Sequence, residues 1–254
     1  MSDINLVTLK PRLQKYKGYT MDHAEAYRNL RTNLEFSSFN QELKVIALTS
    51  ASKEEAKSTT ASNLAVVMAN ADEHVLLIDC DFRIPSLHRI FKLSNSVGLS
   101  TALLDFESKD FDIFTHMQLI KHKEIKNKLY VMPSGPNVPN PSEVLSSKRF
   151  FAIIKYLRPY FDRIIIDSPP VLPVSETVPI GLQADGVLFC VKSNQTNKEH
   201  AKEAVERLQR ANVNVIGSVV TMLKKPSSGY YNNYYGRADR TDKKKKQKGR
   251  LFER

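Results

Sequence analysis

A lysine, a serine and a threonine stand where a buried strand is expected to give way to a helix. The apolar residues 45–48 are followed by TSASKEEAKSTT, which contains Lys57, Ser58 and Thr59. A lysine at this place reaches the terminal phosphates of a nucleotide, and the hydroxyl after it ligates Mg²⁺. A helix that begins near Ser58 adds the partial positive charge of its N-terminus. These residues predict the phosphate end of a nucleotide site.

The loop before this lysine lacks the glycines of a phosphate-binding loop. The pattern G-x-x-x-x-G-K-[ST] needs glycine where this chain has Ala51 and Ala56, and no glycine occurs in residues 19–97. Glycine permits left-handed dihedrals and a close approach of the backbone to phosphate. Glu54 and Glu55 also put two carboxylates near an anion, which is unfavourable. The loop alone therefore favours an ordinary connection from strand to helix.

Acidic side chains follow two further apolar runs. Asp79 and Asp81 come after residues 75–78, and Asp167 follows residues 164–166. The carboxyl ends of parallel strands share one edge of a sheet, where ligands bind. Each acid alone is more simply a solvated strand end or a helix cap. Together with the lysine, the acids outline a Mg-nucleotide site, in which they hold metal or activate a hydroxyl.

Alternating strands and helices must position these groups. Apolar runs predict strands at 45–49, 75–79, 129–132, 163–167, 187–191 and 215–220. Helical stretches lie between them, including 58–70 and 198–210. The alternation predicts an α/β fold with a mostly parallel sheet and helices on both faces. We expect a single domain over residues 1–223 and a flexible tail over 224–254.

The motifs together resemble those of the bacterial tyrosine kinases (BY-kinases) of the CpsD/CapB capsule and exopolysaccharide type. Residues 57–59 resemble the end of that family's Walker A motif, 77–83 (LIDCDFR) its Walker A′ motif and 164–170 (IIIDSPP) its Walker B motif. Residues 134–143 are similar to a proline-rich signature of the same family. The resemblance runs from about residue 19 to residue 236. It implies a P-loop NTPase-type fold, similar to MinD and ParA.

The resemblance also implies ATP and Mg²⁺ as cofactors and assigns roles to individual residues. Catalytic roles are implied for Lys57, Asp79, Asp81, Arg83 and Asp167. Nucleotide contacts are implied for Lys57, Ser58, Thr59 and Thr221, and metal contacts for Ser58, Asp79, Asp81 and Asp167. Two positions depart from the family: Glu176 stands where Asp is common, and Thr221 stands where an Asn usually contacts adenine. Threonine can still hydrogen-bond, but it lacks the paired donor and acceptor of the amide.

Glu25, Arg28 and Arg31 form an E-x-x-R-x-x-R pattern. At spacings of three residues, they share one face of a helix. The resemblance implies subunit contacts in a homo-oligomeric ring, with these charges near a neighbour's nucleotide. The alternative is a solvated face with a local Glu–Arg pair, which stabilises by roughly a few tenths of a kcal/mol. The sequence context favours the interface.

Four tyrosines lie within six residues near the C-terminus. They are Tyr230, Tyr231, Tyr234 and Tyr235. Neither a strand period nor a helix period explains their spacing, and Pro, Ser and Gly residues precede them. By itself the cluster is equally an aromatic packing patch. The resemblance implies that these tyrosines are the phosphoacceptors of autophosphorylation.

The positive charge of the chain is concentrated in the same tail. Residues 224–254 carry a net charge of +8 out of +11 for the whole chain. Such a basic run is usually solvated, and it can also contact an anionic membrane surface. Because no base-reading motif accompanies it, we expect no nucleic acid partner.

Several features predict a cytoplasmic protein. Cys80 and Cys190 lie in apolar contexts without metal-ligand spacing, which favours buried free thiols in a reducing compartment. The N-terminus lacks a signal-peptide core, and no apolar run reaches the length of a transmembrane helix. The resemblance implies that a membrane adaptor, a polysaccharide co-polymerase, recruits the chain to the inner face of the cell membrane.

Three functions remain open at this point. The first is a protein-tyrosine kinase that phosphorylates its own tail and regulates polysaccharide assembly. The second is a pseudokinase scaffold of the same assembly, which the missing glycines favour about equally. The third is an ATPase of the MinD/ParA type. That class has a signature lysine five residues before the P-loop lysine, where this chain has Ser52, so it is the least favoured.

Overall fold

A computed structural model describes residues 23–37, 42–122 and 125–223 of the chain. The tyrosine cluster Tyr230, Tyr231, Tyr234 and Tyr235 and the basic run both lie outside the described residues. The chain divides into a unit over residues 1–221 and a second over 222–254. Every helix and strand given below belongs to the first unit. The expected division into one domain and a tail stays a prediction.

A seven-stranded sheet forms the centre of the first unit. Its strands are β1 (Val45–Ser50), β2 (Val75–Asp79), β3 (Gln118–Leu119), β4 (Leu129–Met132), β5 (Arg163–Asp167), β6 (Gly186–Lys192) and β7 (Val215–Thr221). Their order across the sheet is β3-β4-β2-β5-β1-β6-β7. All neighbours pair in parallel except β3 and β4, which are antiparallel. The strands β2, β5 and β1, which carry the predicted motifs, are therefore adjacent.

Helices cover both faces of this sheet. They are α1 (His23–Ser37), α2 (Lys57–Ala69), α3 (Leu87–Ile90), α4 (Leu99–Asp105), α5 (Pro141–Leu145), α6 (Lys148–Leu157), α7 (Thr177–Gly181) and α8 (Lys198–Arg210). Short 3₁₀ turns occupy Ile113–His116 and Arg158–Tyr160. No helix within the described ranges is both long enough and apolar enough to cross a membrane.

Strand residues alternate between two hydrophobic cores. In β5, for example, Ile164 and Ile166 pack in one core with residues of α4, α6 and α8, whereas Ile165 packs in the other with residues of α1, α2 and α3. Successive strand side chains point to opposite faces, so a strand buried on both faces must be apolar throughout. This confirms the expected α/β fold with a mostly parallel sheet and helices on both faces.

The element bounds follow the sequence closely. Strands β2, β4 and β5 and helix α8 occupy the predicted ranges. Strands β1, β6 and β7 end one residue later than predicted, and β6 also begins one residue earlier. Helix α2 begins and ends one residue earlier than predicted. Strand β3 was not predicted, because two residues are too few to show a period.

Candidate active site

The sheet register brings the predicted acids together. Asp79 and Asp167 are Cα partners at the carboxyl ends of β2 and β5, and Asp167 is also the partner of Leu48 in β1. The loop that follows β1 therefore begins beside both acids. We call residues 51–56 the phosphate loop, and Asp79, Asp81 and Asp167 the strand-end acids.

The phosphate loop adopts left-handed conformations without glycine. Glu54 has a φ of 62° and Ala56 a φ of 63°. Ala56 immediately precedes α2, and its carbonyl accepts hydrogen bonds from both the backbone N–H and the hydroxyl of Thr60, each at 2.9 Å. Such conformations cost a residue with a Cβ roughly 1–2 kcal/mol. At position 56, alanine thus takes the kind of conformation for which the phosphate-loop pattern uses glycine.

Glu55 is oriented differently from what its charge suggests. The residue is only 4% exposed, and its carboxylate accepts hydrogen bonds from the Ser52 N–H at 2.9 Å and from the hydroxyl of Thr196. Its backbone carbonyl accepts a bond of 3.1 Å from the Thr221 hydroxyl. Of the two glutamates in the loop, Glu54 is the exposed one. The carboxylate of Glu55 is therefore bound within the protein, contrary to the expectation of two acids that face an anion.

Lys57, Ser58 and Thr59 form the first turn of α2. Lys57 is 7% exposed, and its ammonium lowers the pKa values of both Asp167 and Cys190, in each case against a larger effect of burial. Ser58 is half-buried, and Thr59 is exposed. No side chain caps the helix, so its first N–H groups are not satisfied by a capping group. The start of α2 therefore combines a buried lysine with backbone N–H groups that no capping side chain satisfies, and both features favour the binding of an anion.

Asp79 is held by backbone donors. One oxygen accepts from the Asp81 N–H at 3.1 Å, and the other accepts from the N–H groups of Ser86 and Leu87 at 2.9 and 3.0 Å. Burial raises the pKa of Asp79 to about 6, while these three donors lower it and the charge of Asp81 raises it further. Asp79 therefore shapes the segment between β2 and α3. Asp81 is 9% exposed and accepts one bond, from the Ile84 N–H at 3.0 Å.

Asp167 is fully buried, and the Ser58 hydroxyl lies close enough to lower its pKa as a donor, although it forms no well-aligned hydrogen bond. Among the described residues, no group with hydrogen-bond geometry reaches either of its carboxylate oxygens. Burial raises its pKa to about 8, and the charge of Asp79 adds to this effect, whereas Ser58 and Lys57 oppose it. Buried carboxylates without partners are costly and uncommon, and they often mark functional sites.

These residues fit a hydrated magnesium ion better than a cage of protein ligands. No group of three or more His, Cys, Asp or Glu side chains within the described ranges has metal-binding geometry. Mg²⁺ is usually held by one or two protein oxygens, with water and substrate phosphates completing its shell. The unpartnered oxygens of Asp167, beside Ser58, are groups of this kind.

The structure adds a partner for Arg83. Its Nε donates to Glu176 at 2.9 Å, and its terminal nitrogen lies 2.7 Å from the same oxygen. The Arg83 side chain is 50% exposed, whereas that of Glu176 is 1% exposed, and the second Glu176 oxygen has no hydrogen-bond partner among the described residues. The sequence had marked Glu176 only as a departure from a family pattern. Its pairing with Arg83 spans 93 positions and left no local signal.

Both cysteines lie buried next to this site. Cys80 stands between Asp79 and Asp81, and Cys190 lies in β6. Burial raises the pKa of Cys80 well above its usual value and that of Cys190 to about 12. Neither thiol forms a disulfide, which agrees with the expectation of buried free thiols.

The charged pattern on α1 makes local ion pairs. Arg28 lies 2.6 Å from Glu25, and Arg31 lies 3.3 Å from Glu35. Both pairs are partly solvent-exposed, and α1 packs against α2 through its opposite, apolar side. The expected intersubunit role of Glu25, Arg28 and Arg31 stays a prediction, as does the role of the tail tyrosines.

Comparison with known proteins places the chain in a narrow group. The family described as an AAA domain matches residues 43–225. Tyrosine-protein kinase YwqD of Bacillus subtilis (strain 168) is 39% identical over 217 residues, covering 85% of this chain and 88% of that protein. The kinase domain of the Escherichia coli tyrosine kinase ETK superposes with a TM-score of 0.72 at 27% identity and covers 86% of each chain.

A more distant structure shares the fold alone. The septum site-determining protein MinD of Pyrococcus horikoshii, complexed with Mg-ADP, superposes with a TM-score of 0.55 at 17% identity. The match covers 70% of this chain and 69% of that one. The likeness supports the expected MinD/ParA-like architecture.

Proposed function

The chain belongs to the bacterial tyrosine kinases, a branch of the AAA-domain P-loop proteins, and we propose that it transfers the γ-phosphoryl group of ATP to tyrosine. The observation that carries this proposal is Asp167, a fully buried carboxylate beside Lys57 and Ser58 in the first turn of α2, whose oxygens have no well-aligned hydrogen bond from the described residues. Burial keeps this carboxyl mainly protonated near neutral pH, and a bound cation would stabilise its ionised form. The proposal needs that cation to be Mg²⁺ bound together with ATP.

Each residue of the site has a proposed task. Lys57 neutralises charge on the phosphates, and Ser58 and Asp167 provide oxygens for Mg²⁺, which would supply further charge neutralisation when bound. Asp79 fixes the segment that carries Asp81, and Asp81 accepts the proton of the attacking tyrosine hydroxyl or contacts the metal. Positioning and electrostatic stabilisation account for most of the catalysis in phosphoryl transfer.

The exposed guanidinium of Arg83 is proposed to approach the phosphates or the incoming tyrosine. Glu176 holds one side of this guanidinium, which limits the directions in which Arg83 can reach. Thr59 and Thr221 remain proposed nucleotide contacts. The hydroxyl hydrogen of Thr221 is directed at Glu55, so any contact from Thr221 to a base would use its lone pairs.

We further propose that the phosphoacceptors are Tyr230, Tyr231, Tyr234 and Tyr235, modified in trans within a homo-oligomeric ring. The proposed partner is a membrane adaptor that recruits the cytoplasmic chain to the inner face of the membrane. The family relationship supports these roles. The basic tail, with its net charge of +8, is suited to an anionic membrane surface.

A pseudokinase scaffold is the second candidate function. It is favoured by one observation, the glycine-free phosphate loop with Glu54 and Ala56 in left-handed conformations. A scaffold would keep the fold and the oligomer surface without needing ATP. The ATPase activity of the MinD/ParA class is less favoured, because the likeness to MinD extends to the fold alone.

One experiment separates kinase from scaffold. Purified protein is incubated with Mg-ATP, with and without the cytoplasmic segment of the adaptor, and phosphotyrosine is measured together with calorimetric ATP binding. Lys57→Met and Asp81→Ala should each abolish the phosphotyrosine signal, and Lys155→Met, an exposed lysine on α6, should retain it. Signal that persists in Lys57→Met would refute the mechanism, and absence of ATP binding in the parent chain would favour the scaffold.

A further inference from the structure

We propose that Glu55 is a positioning residue that holds the phosphate loop in its bent shape in place of the missing glycines. Its backbone and side chain join the loop to the ends of β6 and β7 through Thr196 and Thr221. We call these three residues the Glu55 latch. The proposal rests on the proposed function in one respect: it assumes that the loop binds the phosphates of a nucleotide.

The conformation of the loop needs an external cause. Glu55 lies between two residues, Glu54 and Ala56, whose φ angles of 62° and 63° are unfavourable for side chains with a Cβ. Non-glycine residues stay in this region only where the surrounding structure over-determines them. The local sequence supplies no glycine, so contacts from elsewhere in the fold must hold these two residues.

Glu55 makes contacts of this kind on three sides. One carboxylate oxygen accepts from the Ser52 N–H at 2.9 Å, which closes the turn inside the loop. The other accepts from the hydroxyl of Thr196, and the same hydroxyl oxygen accepts from the Lys192 N–H at 2.7 Å. The Glu55 carbonyl accepts from Thr221 at 3.1 Å. The loop is thereby attached to the last residues of β6 and β7.

This arrangement gives a buried carboxylate a task other than contact with phosphate. A buried carboxylate that receives two donors is satisfied where it lies, and moving it would leave those donors unpaired. The latch also connects the loop to the region where Thr221 is proposed to meet the base. A substitution at either threonine should therefore alter the conformation of the phosphate loop, although neither threonine needs to contact phosphate to do so.

The sign of one substitution distinguishes the latch from simple repulsion. If Glu55 acted mainly as a charge close to phosphate, Glu55→Gln would tighten Mg-ATP binding. The latch requires the opposite, because the NH2 of the amide replaces one of the two acceptor oxygens and leaves either the Ser52 N–H or the Thr196 hydroxyl facing a donor. Glu54→Gln removes the neighbouring, exposed charge and measures the effect of repulsion alone; it should not weaken binding.

The first measurement is calorimetric affinity for Mg-ATP. Glu55→Ala and Thr196→Val should each weaken binding by about tenfold or more, since small displacements of positioned groups are costly. The double variant should be little weaker than either single variant, because both remove the same contact. Thr196→Ser, which keeps the hydroxyl, should stay within about twofold of the parent. Glu203→Ala, an exposed control on α8, should match the parent.

The second measurement uses nucleotide-free protein and does not depend on the proposed function. Hydrogen–deuterium exchange of the backbone amides in residues 51–58 should become roughly tenfold faster in Glu55→Ala and Thr196→Val. It should be unchanged in Thr196→Ser and Glu203→Ala. If the parent chain fails to bind Mg-ATP, the proposed function fails, and this exchange rate still decides whether the latch exists.

Two results would overturn the latch. One is unchanged exchange of residues 51–58 in both Glu55→Ala and Thr196→Val. The other is tighter Mg-ATP binding by Glu55→Gln together with equal tightening by Glu54→Gln, which would make both residues simple repulsive charges. Thermal unfolding is recorded for each variant. If Glu55→Ala fails to fold, the exchange of residues 51–58 in Thr196→Val decides whether the latch exists.

Discussion

The strand-end acids and the phosphate loop lie beside each other, but the protein satisfies their buried carboxylates differently. Asp167 is fully buried, and neither of its oxygens has a well-aligned hydrogen bond from the described residues. Glu55 is almost as buried, and both of its oxygens are bonded. The protein completes the loop from its own residues and leaves the acid for another partner. Among the strand-end acids, the comparison points to Asp167 as the one that needs a ligand, because Asp79 is already bonded by three backbone donors.

The sharpest test of this contrast is Asp167→Asn. If Asp167 holds the cation of the reaction, we expect phosphotyrosine formation to fall by at least about 100-fold, the range seen when one stabilising group is removed from an active site. Initial rates with Mg-ATP provide the measurement. Asp72→Asn, an exposed acid outside the site, serves as the matched control. An activity equal to that of the parent would remove Asp167 from the mechanism.

The same carboxylate should make stability depend on pH. The pKa of Asp167 is about 8 in the folded protein and near 4 when unfolded, so between these values only the folded state retains the proton. Unfolding then releases a proton, and the free energy of unfolding should fall as pH rises from about 4 to about 8. Asp79, with a pKa of about 6, acts in the same direction over a narrower range.

We expect Asp167→Asn to flatten this dependence and to raise the free energy of unfolding relative to the parent more at pH 8 than at pH 5, because an amide has no proton to release on unfolding. Urea unfolding of both proteins at pH 5 and pH 8 measures the effect. If the difference between parent and variant is the same at both pH values, the burial of Asp167 is not what controls its ionisation.

Glycine should relieve the phosphate loop. Ala56→Gly and Glu54→Gly remove Cβ atoms at left-handed positions, and we expect each to stabilise the fold by about 0.5–1 kcal/mol. Together with Lys53→Pro, they should also tighten Mg-ATP binding. Asp72→Gly is the matched control, since Asp72 has a φ of 65° away from the loop and should gain stability without a gain in affinity. No change in affinity would mean that the loss of the glycines is harmless to binding, and the scaffold hypothesis would lose its main support.

The smallest expected effect on stability concerns α1, which belongs to neither the strand-end acids nor the phosphate loop. Arg28→Ala combined with Arg31→Ala removes two partly exposed local ion pairs, so the free energy of unfolding should change by only about a few tenths of a kcal/mol. If these arginines contact a second subunit, sedimentation should nevertheless shift toward the monomer. The same variant should lower phosphorylation of the tail in trans. If the double variant sediments like the parent in the presence of the adaptor segment, this face of α1 is solvated and the intersubunit contact is absent.

Much of this arrangement follows from the sequence because its cause is local. Runs such as residues 75–78 and 164–166 are apolar on both faces, and that alone predicts buried parallel strands. Parallel strands end at a common edge, so the adjacency of Asp79 and Asp167 could be predicted. Glycine propensity, in contrast, was misleading at Ala56, where tertiary contacts impose a conformation that the residue itself disfavours.

The remaining features depend on residues far apart in the chain. Glu55 meets Thr196 across 141 positions and Thr221 across 166. Neither separation leaves a periodic or compositional signal, and each contact exists only because β1, β6 and β7 are neighbours in the sheet. From the sequence alone, a carboxylate in the phosphate loop is expected to repel the phosphates. Only the fold shows that the Glu55 carboxylate instead accepts hydrogen bonds from groups of the protein.

The two buried cysteines have a practical consequence. Thiols react with alkylating reagents as thiolates, and the raised pKa values of Cys80 and Cys190 keep both protonated at neutral pH. Each belongs to a different core, Cys80 to the one beneath α4 and α6 and Cys190 to the one beneath α1 and α2. The rate at which each thiol is alkylated would therefore report separately how often each face of the sheet becomes exposed to solvent. The two native cysteines therefore report on the two faces of the sheet without an introduced probe.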